Sequence, residues 1–387
     1  MKLAVPKATF PGERRVSLVP ESVKKLVKAG LHVAVQTGAG LKSGIPDSEY
    51  SSAGATIEPD VGTLLGNADI VLAIHGPTDR SDAPGHEVDA LKDGAILLAT
   101  LQPTTHAELV RKLTARKITA FSTDCIPRIT RAQAMDTLSS QASLAGYKAV
   151  IIAANELGKI FPMMMTAAGT IVASRVFVIG AGVAGLQAIA TAKRLGATIE
   201  AFDTRPVVKE QVESLGAKFV MMDLPKENAQ DAGGYAKQMS EEFYRKQGEL
   251  MGKHVASADV VITTALIGGV QAPKLITEDM VRNMRPGSVI VDVAADGGGN
   301  CVLTEPGQTV EKHGVTICGP TNLASSVPVH ASQTYSRNVT SFVLTFIKDG
   351  AFTLDLNDEI QKGAIVTHAG EVLHAATRSA LSGPKAG

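Results

Sequence analysis

Short apolar runs alternate along this chain with segments whose apolar residues recur at helical spacing. His32–Gln36 and Asp69–Ile74 are runs of the strand type, and Pro20 opens a helical segment ahead of them. Farther along, the strand-like run Arg175–Ile179 stands just before a helical segment over Leu186–Leu195. Such alternation is typical of parallel sheets, so the pattern predicts an α/β protein with two doubly wound, Rossmann-like domains.

The length of the chain also suggests two domains. We expect residues 1–138 to form a first α/β domain, which residues 325–387 complete. Residues 139–324 are expected to form the second domain. The boundary falls just before a helical segment that is rich in small residues.

Three later segments have their own expected structures. Ala331–Lys348 has an apolar helical face and is predicted to return and cover the first domain. Ala364–His368 and Glu371–His374 are expected to pair as a hairpin. The apolar stretch Phe161–Ala192 is interrupted by Arg175 and several glycines, so we expect a helix, a strand and a helix there rather than a membrane span.

Composition excludes several classes of protein. Lysine and arginine total 38, as do aspartate and glutamate, and there is no basic block, so we expect no nucleic-acid partner. Cys125, Cys301 and Cys318 are scattered, which argues for a reducing compartment and against a disulfide framework or a zinc site, and no metal is expected. A strand pattern follows Met1 directly, so we expect no signal peptide and a soluble chain.

A glycine-rich turn joins the strand-like run Arg175–Ile179 to the helix that follows it. The turn reads Gly180-Ala181-Gly182-Val183-Ala184-Gly185. In this frame the first glycine permits a tight turn, the second lets a pyrophosphate approach the backbone, and the third lets the helix pack close to the sheet. N–H groups at the helix start also favour phosphate. We therefore interpret the turn as a dinucleotide-binding fingerprint rather than a glycine-rich turn without a ligand.

Asp203 sets the expected choice of nucleotide. It ends the next strand, about 20 residues beyond the fingerprint, where a carboxylate can accept hydrogen bonds from the adenosine ribose 2′-OH. The same carboxylate would repel a 2′-phosphate, so the sequence favours NAD(H) over NADP(H). Thr204 and Arg205 follow in the same expected binding loop, and Arg205 could in principle meet a phosphate.

Further contacts are expected beyond the carboxyl ends of neighbouring strands, where ligands bind in open α/β sheets. Asp259–Thr263 is predicted as a strand, and Thr264, Ala265 and Leu266 follow it. These residues would line a nucleotide-binding cleft that separates the two domains. The long polar segment Asp223–Lys253 is predicted to be either a surface insertion or a lid.

The stretch Cys125–Lys148 concentrates hydrogen-bonding side chains before an apolar helix. Arg128, Gln133, Asp136 and Ser139 all lie in it. Composition alone favours a solvated interdomain loop followed by a linker helix. A functional site is the alternative, and the residues by themselves leave it open.

Several longer motifs together resemble one family. They are PGERRVSLVPE near the start, PRITRAQAMDTLSSQASLAGYKAV, FPMMMTAAGTI, GAGVAGLQAIATAKRLGA, AGGYAKQMSEEF and GNCVLTEPG. In this combination they closely resemble the NAD(H)-binding component of proton-translocating nicotinamide nucleotide transhydrogenase. The resemblance covers nearly the whole chain and is far more specific than the glycine fingerprint.

The resemblance implies roles for particular residues. Arg128, Gln133, Asp136 and Ser139 would be the catalytic positions that reach toward the nicotinamide and its ribose. Gln133 would bond the carboxamide and hold the ring near the neighbouring component. Tyr235 would be the tip contact of a mobile loop that closes on bound nucleotide.

The resemblance also implies partners. Members of this family are typically homodimers that dock onto membrane-spanning components, one of which holds NADP(H). The reaction is hydride transfer from NADH to NADP⁺, coupled to proton movement in the membrane component. A chain that stops at Gly387 without a membrane span resembles the split form, in which the first portion of the alpha subunit is a separate polypeptide. It would be cytoplasmic, held peripherally at the inner membrane by its partner subunits.

The alternative is a self-contained NAD-dependent dehydrogenase of the alanine dehydrogenase type. Arg15 in GERRV matches that family's substrate-carboxylate arginine, and Asp296 matches its active-site aspartate. The catalytic lysine of the alanine dehydrogenase family has no counterpart in the segment IVLAIHGP of this chain, which has Ala73 and His75 there. A lone histidine at a strand end is more often structural than catalytic. A nucleotide-binding module without turnover is a third possibility, and dependence on an NADP(H)-binding partner would separate it from a transhydrogenase.

Overall fold

The computed structural model describes residues 1–80, 85–221, 241–266 and 271–381. The chain divides into two compact units. Unit 1 comprises Met1–Gln141 together with Ser325–Gly387, and unit 2 comprises Ala142–Ala324.

Strands and helices alternate through most of the described residues, as the hydrophobic pattern predicts. The strands are β1 Lys2–Val5, β2 His32–Gln36, β3 Thr56–Glu58, β4 Ile70–His75, β5 Ile96–Thr100, β6 Thr119–Ser122, β7 Met164–Thr166, β8 Gly169–Ile171, β9 Arg175–Ile179, β10 Thr198–Phe202, β11 Lys218–Phe219, β12 Val260–Thr263, β13 Val289–Asp292, β14 Thr309–Lys312, β15 Val315–Cys318, β16 Ile347–Lys348, β17 Ala351–Phe352, β18 Ile365–His368 and β19 Glu371–Val372. The helices are α1 Pro20–Lys28, α2 Asp47–Ser52, α3 Val61–Gly66, α4 Glu87–Ala90, α5 Ala107–Ala115, α6 Thr137–Glu156, α7 Val183–Arg194, α8 Lys209–Ser214, α9 Glu241–Ser257, α10 Glu278–Arg282, α11 Pro328–Phe346, α12 Glu359–Ala364 and α13 Ala375–Leu381. Among the residues that the structure describes, no helix has both the length and the apolar character that crossing a membrane requires.

Unit 1 is built on a sheet in the order β19-β18-β6-β5-β4-β1-β2-β3. The chain starts at β1, moves outward through β2 and β3, and then crosses to β4, β5 and β6, all in parallel. The predicted hairpin is present, because β18 and β19 pair antiparallel and β18 adds to β6. Helix α11 buries Tyr335, Phe342 and Val343 in the same core as Leu3 and Phe121, so it covers this sheet as predicted.

Unit 2 is built on a sheet in the order β11-β10-β9-β12-β13-β15-β14. All neighbours are parallel except β14, which runs antiparallel to β15 at one edge. The chain enters at β9, builds β10 and β11 on one side, and then crosses to β12 on the other. This strand order is that of dinucleotide-binding sheets, and ligands bind where the order reverses, here between β9 and β12. The predicted fold class is confirmed for both units.

The prediction for the start of Phe161–Ala192 is wrong. No helix precedes β9 there, because Met164–Thr166 and Gly169–Ile171 pair antiparallel as a two-stranded hairpin. Gly169 has a φ of 120° at the turn, which glycine adopts without strain. Helices in proteins depend mainly on burying an apolar face, and Met165 is 79% exposed. A helix over this stretch would have no buried apolar face to stabilise it, and the stretch forms the hairpin instead.

Candidate functional site

The glycine turn after β9 is the centre of the site in unit 2. Gly180 has a φ of 93°, and its amide donates to the Phe202 carbonyl at 2.8 Å, which joins the turn to the end of β10. A Cβ on Gly185 would lie 1.8 Å from the Gly180 carbonyl oxygen. Only glycine at position 185 lets α7 begin this close to the turn.

Gly182 precedes α7 and provides no side-chain cap for its first turn. Apart from Gly182 itself and its two chain neighbours, no described residue would place an atom within 4 Å of a Cβ built on Gly182. The first-turn N–H groups of Val183, Ala184 and Gly185 lack intrahelical partners, as in any α-helix, and carry the positive end of the helix dipole. A pyrophosphate needs hydrogen-bond donors that have no other partner and space in which to approach them. The first turn of α7 offers both, so these residues fit a pyrophosphate.

The loop after β12 is hydrogen-bonded to the glycine turn. Thr264 Oγ1 donates to the Gly180 carbonyl at 3.0 Å. The Ala265 N–H donates to Asn300 Oδ1 at 3.0 Å, and Asn300 Nδ2 donates back to the Ala265 carbonyl at 2.8 Å. Leu266 follows and is 41% exposed. Thr264 and Ala265 are therefore held next to the fingerprint.

Two supports of this site were not predicted from the sequence. Asn300 is fully buried, and besides bonding Ala265 it donates to the Pro273 carbonyl at 2.9 Å. Gly146 on α6 lies so near the first turn of α7 that a Cβ would approach the Ala184 carbonyl oxygen to 2.1 Å. Asn300 and Gly146 both lie in motifs that carry the family resemblance. Their contact partners, Ala265 and Ala184, are distant in sequence, so only the folded structure reveals these contacts.

Asp203 follows β10 and faces the same turn. Its Oδ2 accepts the Ala181 N–H at 2.8 Å, and its Oδ1 accepts the Arg205 N–H at 2.8 Å. The Arg205 side chain adds bonds from Nε and Nη2 at 2.9 and 2.8 Å. These bonds to Asp203 raise the pKa of the Arg205 guanidinium above its ordinary value. Thr204 between them is half-buried, so all three predicted residues lie at this end of the sheet.

The predicted catalytic residues of unit 1 lie around the start of α6. Asp136 caps this helix, with Oδ1 accepting the Ser139 N–H at 2.8 Å and Oδ2 accepting the Ser139 hydroxyl at 2.6 Å. Gln133 lies on the preceding 3₁₀ turn, Thr130–Met135, and is an exposed residue, as is Arg128. The structure thus brings Asp136 and Ser139 together as a bonded pair.

Asn338 on α11 holds this loop in place and was not predicted. Its Nδ2 donates to the Ala134 carbonyl at 2.9 Å, and its Oδ1 accepts the Ser140 hydroxyl at 2.7 Å. One amide therefore ties the 3₁₀ turn to the first turn of α6. Asn338 lies about 200 residues along the chain from both partners, so local sequence carried no sign of the contact.

A buried ion pair in unit 1 contains two residues of the alternative dehydrogenase site. The carboxylate of Glu13 is fully buried and accepts Arg15 Nη2 at 2.7 Å and His75 Nε2 at 2.6 Å. Burial by itself would raise the pKa of Glu13, but the bonds from Arg15 and His75 outweigh it and hold this pKa well below 4.5. Arg15 Nη1 also donates to Gln141 at 2.9 Å. Asp296 lies in unit 2, where it accepts a backbone N–H.

The remaining predicted contact is Tyr235, the expected tip of a mobile loop. Tyr235 lies outside the described residues, as does much of the segment Asp223–Lys253 that was expected to be an insertion or a lid. The later portion of that segment belongs to α9, which buries Gln247 and Met251, so this portion is a packed element. Within the described ranges no three histidine, cysteine or carboxylate side chains are grouped as a metal site would need.

Family models match both halves of the chain. The model for the alanine dehydrogenase/PNT N-terminal domain matches residues 4–145, and the model for the C-terminal domain of that family matches residues 149–375. The chain belongs to the alanine dehydrogenase/PNT family. The glycine fingerprint of this chain, residues 180–185, lies within the C-terminal match.

Individual relatives narrow the similarity. The chain is 50% identical over 379 residues to a Rhodospirillum rubrum protein named as the first part of NAD(P) transhydrogenase subunit alpha, and the match covers 97% of this chain and 98% of that protein. The crystal structure of transhydrogenase from Sinorhizobium meliloti is 43% identical, with a TM-score of 0.86 over 96% of this chain and all of that one. Alanine dehydrogenase of Bacillus subtilis is 29% identical over 97% of this chain and 93% of that protein. The predicted resemblance, with alanine dehydrogenase as a more distant relative, is confirmed.

Proposed function

We propose that this chain is the NAD(H)-binding component of a proton-translocating transhydrogenase and passes hydride from NADH to NADP⁺ held on a partner subunit. Its similarity to a protein named as a portion of NAD(P) transhydrogenase subunit alpha supports this proposal. The observation that carries the nucleotide-binding role is the uncapped start of α7, open at Gly182 and adjoining Asp203. Coupling to proton movement belongs to the membrane component of the proposed assembly.

The proposed binding residues lie on three loops of unit 2. The N–H groups of Val183, Ala184 and Gly185 would hold the pyrophosphate, and Asp203 would bond the adenosine ribose. The other proposed contacts are Gly180, Gly182, Thr204, Arg205, Tyr235, Thr264, Ala265 and Leu266. The hydrogen bonds that join the described members of this set support one shared binding surface.

The nicotinamide end is proposed at Arg128, Gln133, Asp136 and Ser139 of unit 1. Bound NADH supplies the hydride, and its transfer to a second nicotinamide releases no proton at the reacting carbon, so no general base is needed. These residues would therefore act by positioning. The hydrogen-bonded Asp136–Ser139 pair is consistent with that role. So is the exposed residue Gln133, because a glutamine side chain offers both donors and acceptors to a carboxamide.

The exposed hairpin Met164–Ile171 supports a homodimer. Met163, Met165 and Val172 are 63%, 79% and 78% exposed, and apolar patches of this kind mark interaction surfaces. We propose that a second copy of the chain covers them. Light scattering that gives the mass of one chain at micromolar concentration would contradict this.

The proposed assembly also contains NADP(H)-binding and membrane-spanning subunits. The relative's name, which describes one portion of an alpha subunit, supports an enzyme built from several chains. We propose that these partners hold this chain at the cytoplasmic face of the inner membrane, without direct insertion of the chain.

NADH oxidation in two mixtures tests the function. The first mixture contains this chain, NADH, pyruvate and ammonia. The second contains this chain, NADH, an NADP⁺ analogue and an isolated NADP(H)-binding component. The proposal requires turnover in the second mixture alone. Turnover in the first would establish a self-contained dehydrogenase instead, and NADH binding without turnover in either would indicate a binding module.

Substitutions in the unit 1 loop test the catalytic assignment. Gln133→Ala or Asp136→Asn should leave NADH affinity near the wild-type value but slow single-turnover hydride transfer by about tenfold or more, because these residues position the ring rather than anchor the nucleotide. Thr130→Ala is the matched control, since Thr130 is exposed on the same 3₁₀ turn and outside the proposed site. Wild-type transfer rates in both test variants would reject the assignment.

The dehydrogenase alternative is weakened by the partners of Arg15. Its Nε and Nη2 donate to Glu13, and its Nη1 donates to Gln141. A substrate carboxylate would have to compete with a buried carboxylate of the chain itself for this guanidinium. These contacts favour a structural role for Arg15 and for His75, which bonds the same carboxylate.

A further inference from the structure

The carboxylate of Asp203 is surrounded by donors from its own chain. The N–H groups of Ala181 and Arg205 each donate to it at 2.8 Å. The Arg205 side chain donates through Nε at 2.9 Å and through Nη2 at 2.8 Å, each to a different oxygen. The side chains of Asp203 and Arg205 are only 7% and 19% exposed.

These four donors fill the hydrogen-bond acceptor sites of the Asp203 carboxylate. A carboxylate offers about four lone-pair sites. Two of the sites on Asp203 receive backbone N–H groups, which are fixed by the glycine turn and by the end of β10. The other two receive the Arg205 side chain. A ribose hydroxyl that bonds Asp203 therefore needs a site that the guanidinium now occupies.

We propose that Arg205 is a specificity-determining residue that competes with the adenosine ribose for Asp203. The competition lowers affinity for NADH, and the positive charge offsets the repulsion between Asp203 and a 2′-phosphate. Asp203 alone would make the affinity for NADH much higher than the affinity for NADPH, and Arg205 reduces this difference in affinity. This inference rests on the proposed function, in which Asp203 receives the ribose.

Weaker ribose binding suits the proposed reaction. NADH must enter and NAD⁺ must leave at each turnover, and differences in affinity between related complexes lie mostly in the rate of release. The guanidinium fork is planar and already aligned on the carboxylate, so the internal pair forms with little loss of side-chain entropy. It re-forms as the nucleotide departs and thereby promotes release.

The test removes the fork and measures both nucleotides. Arg205→Met keeps the aliphatic stem but removes the charge and both side-chain donors to Asp203. Titration followed by the fluorescence of NADH and NADPH suits this chain, because it contains no tryptophan. We expect NADH to bind about tenfold more tightly, which corresponds to about 1.4 kcal/mol, and NADPH to bind more weakly. The thermal midpoint of the nucleotide-free protein should fall, because Asp203 loses its ion-pair partner.

Two further variants isolate the role of Asp203. Lys209→Met removes a positive charge four residues along the chain from Arg205, where the lysine contacts Met221 and Glu213 rather than Asp203. It should not tighten NADH binding. Asp203→Asn should weaken NADH binding and relax discrimination against NADPH. In the Asp203→Asn background, Arg205→Met should no longer tighten NADH, because its effect acts through that carboxylate.

The outcomes separate this inference from the proposed function. If the wild-type chain binds NADH and Arg205→Met leaves that affinity unchanged or weaker, the competition is refuted while the proposed function stands. An equal gain in NADH affinity with and without Asp203 would also refute it. Failure of the wild-type chain to bind NADH would overturn both the function and the inference.

Discussion

A methyl group at Gly185 tests how closely α7 must start to the glycine turn. A Cβ there would lie 1.8 Å from the Gly180 carbonyl oxygen and 2.8 Å from its carbonyl carbon. Cβ atoms in proteins essentially never lie closer than 3.0 Å to atoms of residues other than their chain neighbours. Relieving the contact from 1.8 to 3.0 Å would displace the helix start from the turn by about 1.2 Å. The N–H groups proposed to hold pyrophosphate would move with it.

Two opposing effects set the magnitude for Gly185→Ala. Alanine is favoured over glycine inside a helix by about 1 kcal/mol. Overpacking a tight site costs about 1–3 kcal/mol, and the upper end applies here because the obstructing atoms belong to the backbone. We therefore expect a net loss of about 1–2 kcal/mol in the free energy of unfolding. The affinity for NADH should fall by about tenfold.

Gly252→Ala provides the matched control for this substitution. Gly252 also lies in a helix, but a Cβ there would come no closer than 3.8 Å to the Met280 side chain, which is ordinary contact. This variant should gain up to about 1 kcal/mol and bind NADH normally. Urea denaturation and NADH titration measure the two quantities. If Gly185→Ala matches the wild type in both, or Gly252→Ala is the more damaging change, the packing argument fails.

The other predictions concern buried polar groups. Because the pKa of Glu13 is depressed below 4.5, its contribution to stability is present above that pH and is lost as the pH falls. Glu13→Gln should cost about 3–5 kcal/mol at pH 7 by leaving the buried Arg15 guanidinium without its carboxylate partner, and it should weaken the dependence of stability on pH in the acid range. If denaturant midpoints measured from pH 7 into the acid range fall equally in the wild type and in Glu13→Gln, the reasoning is wrong. Asn300→Ala removes both hydrogen bonds between Asn300 and the backbone of Ala265. The binding free energy of NADH should therefore become less favourable by about 1–3 kcal/mol. An unchanged affinity in fluorescence titration would remove Asn300 from the support of the site.

Local patterns were sufficient for much of this protein. The alternation of apolar runs and helical segments predicted the parallel sheets, because each strand or helix carries its own hydrophobic period. The glycine turn between Arg175–Ile179 and the following helix could be recognised for the same reason, since strand, turn and helix are adjacent in sequence. Longer motifs then narrowed the family to one that the relatives confirm.

Apolar character alone did not determine where a side chain lies. The residues 163–172 include several large apolar side chains of the kind that usually lie in a core. Met163, Met165 and Val172 are nevertheless exposed, on and beside a hairpin. Whether such a stretch is buried depends on what the rest of the chain packs against it. A one-dimensional pattern has no access to that information.

Contacts between distant segments were decided by the tertiary structure. Asn300 bonds Ala265, and Asn338 bonds Ala134, because the sheet order and helix α11 bring residues together that no sequence spacing connects. Asp203 could be predicted as a ribose ligand from its distance to the fingerprint, but its hydrogen bond to Ala181 and its side-chain pairing with Arg205 required the folded loop. The sequence by itself determined which elements form and which chemistry they carry. The fold decided which donors and acceptors meet, because hydrogen bonds depend on distance in space rather than on separation along the chain.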